Sequence, residues 1–439
     1  MERRDFLKTT ALGALACAGL PDIGLASMGV PSRMGTFVTG RKLNIAGIGV
    51  GGKGRGDIAA MASENIVALC DVDLKRGRSS FERFPGAKVY RDFRRMLIEM
   101  DEQIDAVTVS TPDHMHFPAA MMAIEMGKHV FVQKPMAHTI EEARILTETA
   151  RKHGVATLMG IQGHAGDGIR RMREWYAARV IGEVNEVHIW TDRPIWPQGI
   201  AAPLPKAPVP EHLDWDLWQG VAPRRDYAGG YAPFKWRAWW DYGCGALGDI
   251  GCHAFDCVFD VLSLGSPTRV SAVSEPVNGQ TAPRWSIVTY EFPETSARGP
   301  VKLVWYDGKR KPERPPELED GRKLPGKIGG QLWYGTEGTI MVNDVYCSSV
   351  RVIPETHMRE LATNGLPERT EKKSIGHYQE WIEACKGGAP AGANFDYAGP
   401  LTELVLLGNL AIRSGEAIEW DATAMRCTNA PDANRYVRK

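Results

Sequence analysis

The sequence predicts an α/β protein of two parts: a doubly wound parallel sheet first, then an α+β region on a largely antiparallel sheet. Three observations predict it. From Leu43 to Gly160, short apolar runs alternate with helical stretches of about ten to fifteen residues, the pattern of βαβ units. The first run, Leu43–Ile48, leads into a glycine-rich turn, Gly47-Ile48-Gly49-Val50-Gly51-Gly52. After Gly182 strand-like runs follow one another with few helices between them.

The chain of 439 residues has room for two or three domains. Its 53 Lys and Arg balance 53 Asp and Glu, so nothing points to a nucleic acid or an acidic membrane surface as partner. Segment 1–30 is read as an export signal. It carries Arg3-Arg4-Asp5-Phe6-Leu7-Lys8 and an apolar run over 11–20, and resembles a twin-arginine signal, which sends folded proteins out of the cytoplasm. The expected location is the periplasm. The apolar run is too short to span a bilayer, and no later stretch is long and apolar enough, so the mature chain is expected to have no membrane span. Lipid anchoring at Cys17 is not expected, because Ala14 rather than Leu stands three residues before it. Of the eight cysteines, seven lie beyond the signal, and their spacing does not read as a disulfide framework. Cys244, Cys252, His253 and Cys257 match no common zinc spacing, so no metal site is predicted and buried thiols are expected.

The elements follow in order. Residues 31–42 form a polar arm. Residues 43–165 make the first domain, with strands at Leu43–Ile48, Asn65–Cys70, Lys88–Tyr90, Ile104–Ser110, His129–Gln133 and Ala156–Gly160. Helices are expected after the glycine turn and around Phe93–Met100, His116–Met126 and Glu141–His153. Residues 166–439 make the second domain, with strands at Val184–Trp190, Val270–Val273, Ile287–Phe292, Val301–Tyr306 and Gly338–Val342. Two Pro-rich loops, 200–212 and 309–327, interrupt it. Helices are expected over Ile375–Cys385 and Leu401–Ile412, the latter free to pack on either domain.

Gly47, Gly49 and Gly52 form GxGxxG after a strand and before a helix, with Asp71 ending the next strand. That context marks a Rossmann dinucleotide site. The glycines give a tight turn, close approach of backbone to a diphosphate, and close packing of helix on strand. Gly51 and Lys53 belong to the same cradle. Asp71 suits ribose hydroxyls and favours NAD, although Lys75, Arg76 and Arg78 nearby leave NADP open. Thr111, Pro112 and Lys134 stand at strand ends, where such sheets bind ligands. His114 and His116 follow one of those ends and are read as lining the coenzyme.

Three segments are then read together: Thr111-Pro112-Asp113-His114-Met115-His116, Val132-Gln133-Lys134-Pro135 and Gly248-Asp249-Ile250-Gly251-Cys252-His253. They resemble the glucose–fructose oxidoreductase / inositol dehydrogenase / MocA (Gfo/Idh/MocA) family, over nearly everything after residue 41. The resemblance implies a Rossmann domain, an open-faced α+β domain that often makes dimers or tetramers through its sheet, and Lys134, Asp249 and His253 as the catalytic set. Gln133 departs from the pattern, where the family usually has Glu, and this bears on how Lys134 is oriented.

The residues support these roles on their own account. Asp249, His253, Asp256 and Asp260 recur at helical spacing on one face. A histidine near its ordinary pKa of about 6.5 can take a hydroxyl proton. Asp249, one turn away, can hold the substrate or raise the basicity of His253. Lys134 can donate to the reacting oxygen. Arg193, Trp196, Tyr231, Lys235, Arg237 and Trp240 lie in segments dense in aromatics and charges, the mixture a sugar presents to its binder, and are read as the substrate wall. The expected function is an NAD(P)-dependent oxidoreductase acting on a hydroxyl of a sugar, glycoside or sugar derivative. Its NAD is expected to be tightly held and recycled. The alternative is an NAD-dependent glycoside hydrolase working by transient oxidation and elimination.

Overall fold

The computed structural model describes residues 32–200 and 203–438. Segment 1–30, read above as an export signal and carrying Arg3, Arg4 and Cys17, lies outside the described residues.

The first domain alternates strands and helices: β1 (Asn44–Ile48), α1 (Lys53–Ala60), β2 (Asn65–Cys70), α2 (Leu74–Arg83), β3 (Lys88–Tyr90), α3 (Phe93–Glu99), β4 (Ala106–Val109), α4 (His116–Glu125), β5 (His129–Val132), α5 (Ile140–His153) and β6 (Thr157–Met159). Its strands pair in the order β3-β2-β1-β4-β5-β6, all parallel. Every residue of β4 and β5 is buried, as expected for central strands covered by helices on both faces. The strand order reverses between β1 and β4, and at that point such a sheet leaves a crevice beyond its strand ends. α5 shows how local chemistry fixes a boundary. Thr139 and Glu142 form a capping box at its start, and Gly154 closes it in the left-handed region at φ 63°. The arm, read as merely polar, is stitched down by backbone bonds from Arg33 to Glu125, Gly35 to His153 and Val38 to Cys385, and Phe37 stacks on His129.

The second domain runs α6 (Asp167–Ala177), β7 (Val184–Thr191), α7 (Trp215–Gln219), α8 (Gly245–Val261), β8 (Arg269–Ser274), β9 (Ser286–Phe292), β10 (Val301–Tyr306), β11 (Gly329–Gly335), β12 (Gly338–Val342), β13 (Val350–Ile353), α9 (Glu355–Asn364), α10 (His377–Cys385), α11 (Phe395–Ser414), β14 (Ile418–Asp421) and β15 (Arg426–Cys427). The nine strands pair as β13-β12-β11-β7-β10-β9-β8-β14-β15. Only the β7–β10 pair is parallel. The sequence reading missed β11, β13, β14 and β15. Gly329-Gly330 opens β11 directly after a charged loop, which hides its alternation.

α8 lies on one face of this sheet, where Phe255 meets Tyr290 and Trp305 edge-on and Gln331 Nε2 donates to the Ala254 carbonyl at 3.0 Å. α11 packs on both domains. Arg144 of α5 holds Glu403 of α11 through two bonds of 2.8 Å, while Gly408 of α11 lies against Tyr290 and Leu247. On the opposite face, Trp190, Leu332, Met341 and Ile353 cluster with Leu318 and Leu324. The charged loop 309–327 therefore covers this face at its β13 end, while toward β8 the face stays open, with Val273 exposed.

Candidate active site

A cavity of about 600 Å³ opens between the two domains. The first domain lines it with Gly49, Gly51, Gly52, Lys53, Asp71, Thr111, Pro112 and Lys134, and the second with Arg193, Arg237, Asp249, His253 and Tyr346.

The glycine turn is shaped by two close approaches. Gly49 has φ 77°, and a Cβ there would lie 2.8 Å from the Ser110 carbonyl. A Cβ at Gly54 would lie 1.8 Å from the Gly49 carbonyl oxygen. Gly54, absent from the sequence reading, is thus the residue that lets α1 run against the turn, a role assigned beforehand to Gly52. Gly47 is off the cavity wall and packs against Val50. α1 starts without a side-chain cap, so no side chain occupies its first-turn N–H groups. Asp71 accepts the N–H of Gly51 and of Asp73, each at 2.9 Å, while burial pushes its carboxyl up to about 6. Thr111 Oγ1 is buried with no hydrogen-bond partner. An uncapped helix start beside a glycine turn, a carboxylate at the next strand end and an orphaned hydroxyl fit a dinucleotide.

Lys53 does not reach freely into the cavity. Its ammonium pairs with Asp57 and lies 3.1 Å from the Tyr378 hydroxyl. Asp57 is fully buried and also accepts from Ser110 Oγ (2.8 Å), Gln133 Nε2 (2.9 Å) and Tyr378 OH (2.7 Å). This explains Gln133. Its amide donates to Asp57, whereas a glutamate would set two carboxylates against each other beneath Lys134.

Lys134 stands at the end of β5, and Asp249 and His253 lie one turn apart on α8. Lys134 Nζ is 3.1 Å from Asp249 Oδ1 and also donates to the Asp249 carbonyl. Arg237 Nε donates to Asp249 Oδ1 at 2.8 Å, and Arg193 Nε lies 3.8 Å from Oδ2. Burial alone would raise the Asp249 pKa, but Lys134 and Arg237 outweigh it and hold the carboxyl well below the usual range. His253 stands differently. Burial and then the Lys134 charge push its pKa well below 6.5, with Asp249 pulling the other way. The ring meets Tyr346 edge-on at 5.0 Å, and Nδ1 has no partner. The expectation of a near-ordinary pKa is corrected: Asp249 does raise it, as expected, but burial and the Lys134 charge outweigh that pull. Asp113, which the sequence reading did not select, also lines the cavity. Burial pushes its carboxyl up to about 7, and Oδ2 accepts the Cys244 N–H at 3.1 Å.

Other expected site residues fall elsewhere. His114 is fully buried, its ring nitrogens 3.2 Å from the Tyr242 carbonyl and 3.0 Å from that of Trp218. His116 sits likewise between the carbonyls of Pro135 (2.7 Å) and Thr111 (2.9 Å), and burial lowers its pKa to about 4. Both brace loops and neither lines the cavity. Trp196 and Tyr231 belong to a satellite aromatic core. Lys235 is exposed and off the wall. Trp240 faces away, under the Arg413 guanidinium at 5.1 Å. From this stretch Phe234 and Trp236 line the cavity instead, and they flank the Arg237 guanidinium at 4.8 and 4.3 Å. On the α8 stripe only Asp249 and His253 serve the cavity. Asp256 pairs with His164 and Tyr397, and Asp260 with Arg173. Tyr346 comes from the loop between β12 and β13 and carries no sequence signal.

A parallel sheet whose strand ends face a mixed-sheet domain across one dinucleotide-shaped cavity defines a two-domain, dinucleotide-binding oxidoreductase architecture. Residues 43–161 match the oxidoreductase family with NAD-binding Rossmann fold (Gfo/Idh/MocA), and residues 185–304 match the C-terminal alpha/beta domain of the oxidoreductase family. With more than half of its length matched in the family's domain order, the chain belongs to the Gfo/Idh/MocA family. Among curated proteins it is similar to the D-glucoside 3-dehydrogenase of Escherichia coli (strain K12), 28% identical over 209 residues, 48% of this chain and 50% of that protein. It is also similar to glycosyl hydrolase family 109 protein 2 of Shewanella sp. (strain ANA-3), 32% identical over 172 residues, 34% of this chain and 37% of that protein. The matched region thus spans half or less of these relatives. Among solved structures, the WlbA dehydrogenase from Bordetella pertussis, in complex with NADH and UDP-GlcNAcA, has a TM-score of 0.59 at 17% identity, over 87% of this chain and 99% of that one. Levoglucosan dehydrogenase, in complex with NADH and L-sorbose, has a TM-score of 0.58 at 16% identity, over 86% and 99%. At these identities the likeness is one of fold.

Proposed function

We propose that the protein transfers hydride between NAD and a hydroxyl-bearing carbon of a sugar, glycoside or sugar derivative. The observation that carries this is the meeting of Lys134 and His253 in the cavity that also holds the glycine turn and Asp71. NAD, when bound, supplies the hydride acceptor. Gly49, Gly51, Gly52 and the start of α1 hold its diphosphate, and Asp71 its ribose. Burial keeps His253 neutral, so the ring is ready to take the substrate hydroxyl proton. Lys134, steadied by Asp249, donates to the oxygen as charge develops on it. Arg193 and Arg237 offer donors to the remaining sugar oxygens. The Asp71 carboxylate favours a free 2′-hydroxyl and hence NAD, although Arg76 lies across the turn.

The reading extends to the whole chain. The twin arginines export the folded protein to the periplasm with its coenzyme inside, and copies assemble through the second sheet. Denaturing the purified protein should release NAD into the supernatant. No nucleotide, together with no binding of added NAD(H), overturns the reading. Absorbance of the bound coenzyme against a panel of sugars then identifies the substrate, and fractionation of cells carrying Arg3→Lys with Arg4→Lys tests export. The family 109 relative favours a second reading, glycoside hydrolysis by transient oxidation. Net glycoside cleavage without accumulated NADH distinguishes it.

A further inference from the structure

The sulfurs of Cys257 and Cys347 stand 3.1 Å apart, closer than two sulfur atoms that share no bond normally approach. Cys257 lies on α8 one turn beyond His253. Cys347 follows Tyr346, whose ring faces His253. The cysteines are 90 residues apart in sequence, so spacing alone gave no hint of the pair. A second observation is independent of that distance. Cys347 has φ 57°, in the left-handed region where glycine or asparagine is usual. A turn alone would be better served by glycine. What this position gains from a side chain is the sulfur aimed at Cys257.

The loop is seated by contacts other than the thiols. Asp344 Oδ1 accepts the N–H of Tyr346 at 2.7 Å and of Ser348 at 3.2 Å. The Cys347 carbonyl rests on Gly168 of α6, where a Cβ would lie 1.5 Å from its oxygen. The two thiols are therefore held against each other by the surrounding fold.

We propose that Cys257 and Cys347 form a disulfide that fastens the Tyr346 loop to the helix carrying Asp249 and His253. The oxidant is another disulfide, either glutathione disulfide or that of an oxidising protein. One cysteine thiolate attacks a sulfur of the oxidant and expels a thiolate, and the second cysteine attacks the mixed disulfide and expels the other. Two S–H bonds are lost and one S–S bond forms. The oxidant takes two electrons and two protons and leaves as two thiols. Both cysteines are buried, so exchange takes place before the loop seats or while it is lifted. The cross-link does not depend on the hydride-transfer reading, and nucleotide-free protein forms it equally.

The test incubates the full-length protein with excess oxidised glutathione at mildly alkaline pH, denatures and alkylates it without reduction, and maps its peptides by mass spectrometry. The expected main species joins the Cys257 and Cys347 peptides, and dithiothreitol splits it. The proposal is overturned if most molecules carry both cysteines alkylated, either one capped by glutathione, or either one joined to another cysteine. A second measurement compares thermal melting with and without dithiothreitol. Oxidised protein should melt higher than reduced protein. Cys257→Ala and Cys347→Ala should each abolish that difference, and its survival in both variants would place the link elsewhere.

Discussion

The first-domain wall of the cavity offers backbone and strand ends: the turn Gly49–Gly52, Asp71 at the tip of β2, Thr111 after β4 and Lys134 after β5. The second-domain wall offers side chains from four separate stretches: Arg193 after β7, Arg237 in a short turn, Asp249 and His253 on α8, and Tyr346 between two strands. The first wall repeats in space the order it has in sequence, because parallel strands present their ends in one row. The second wall exists only once a mixed sheet has folded. The walls differ in electrostatics too. Lys134, Arg237 and Arg193 converge on Asp249, while His253 is left neutral and without a partner at Nδ1. A fold can thus hold a cation and an uncharged base side by side by pairing the carboxylate between them with the cation.

Variants can break this comparison in order of severity. Lys134→Ala removes the cation both walls share and should lower kcat/KM about 10³-fold with the circular dichroism unchanged. Steady-state rates near wild type would sink its role. His253→Ala should cost about 10²-fold. Because its pKa lies well below 6.5, the wild-type His253 ring, followed by NMR, should stay neutral as pH falls through 6.5 and titrate only at more acid pH. A titration centred near 6.5 would contradict the neutral, buried base.

Gly54→Ala tests the first wall. A methyl 1.8 Å from the Gly49 carbonyl oxygen should push α1 off the turn. NADH affinity, followed by fluorescence titration, should fall by about tenfold or more. Asp113→Asn probes stability instead. The folded pKa of about 7 exceeds the unfolded value of about 3.9, so the folded state binds the extra proton between them. That contribution is full below the lower value and is lost as pH rises through about 7. The wild type should therefore lose on the order of 2 kcal/mol relative to the variant between pH 5 and 8 in urea unfolding. The smallest effect belongs to Trp240→Phe. With Trp240 turned toward Arg413, substrate KM should change less than about twofold, and a larger change would return it to the wall.

The legible parts of the molecule are those where one residue type answers a local demand. Alternating apolar runs gave the parallel sheet, the glycines gave the turn, and Lys134 before a proline gave a strand end. The aromatic-rich stretch from Trp190 to Tyr242 misled, because composition does not say which way a ring points. Trp196 and Tyr231 fill a satellite core, and Phe234, among the exposed large apolar side chains at 43%, lines the cavity instead. His114 and His116 misled for a related reason, since a buried imidazole between two carbonyls has the same letter as a ligand. Gln133 looked like a defect in a motif and proves to be the donor that Asp57 requires.

The 20-residue helix α11 joins Glu403 to Arg144 of the first domain and packs on α8 and the sheet of the second. It acts as a splint across both halves: for the cleft to widen, the Arg144–Glu403 pair or the seat of Gly408 on Tyr290 and Leu247 has to give way.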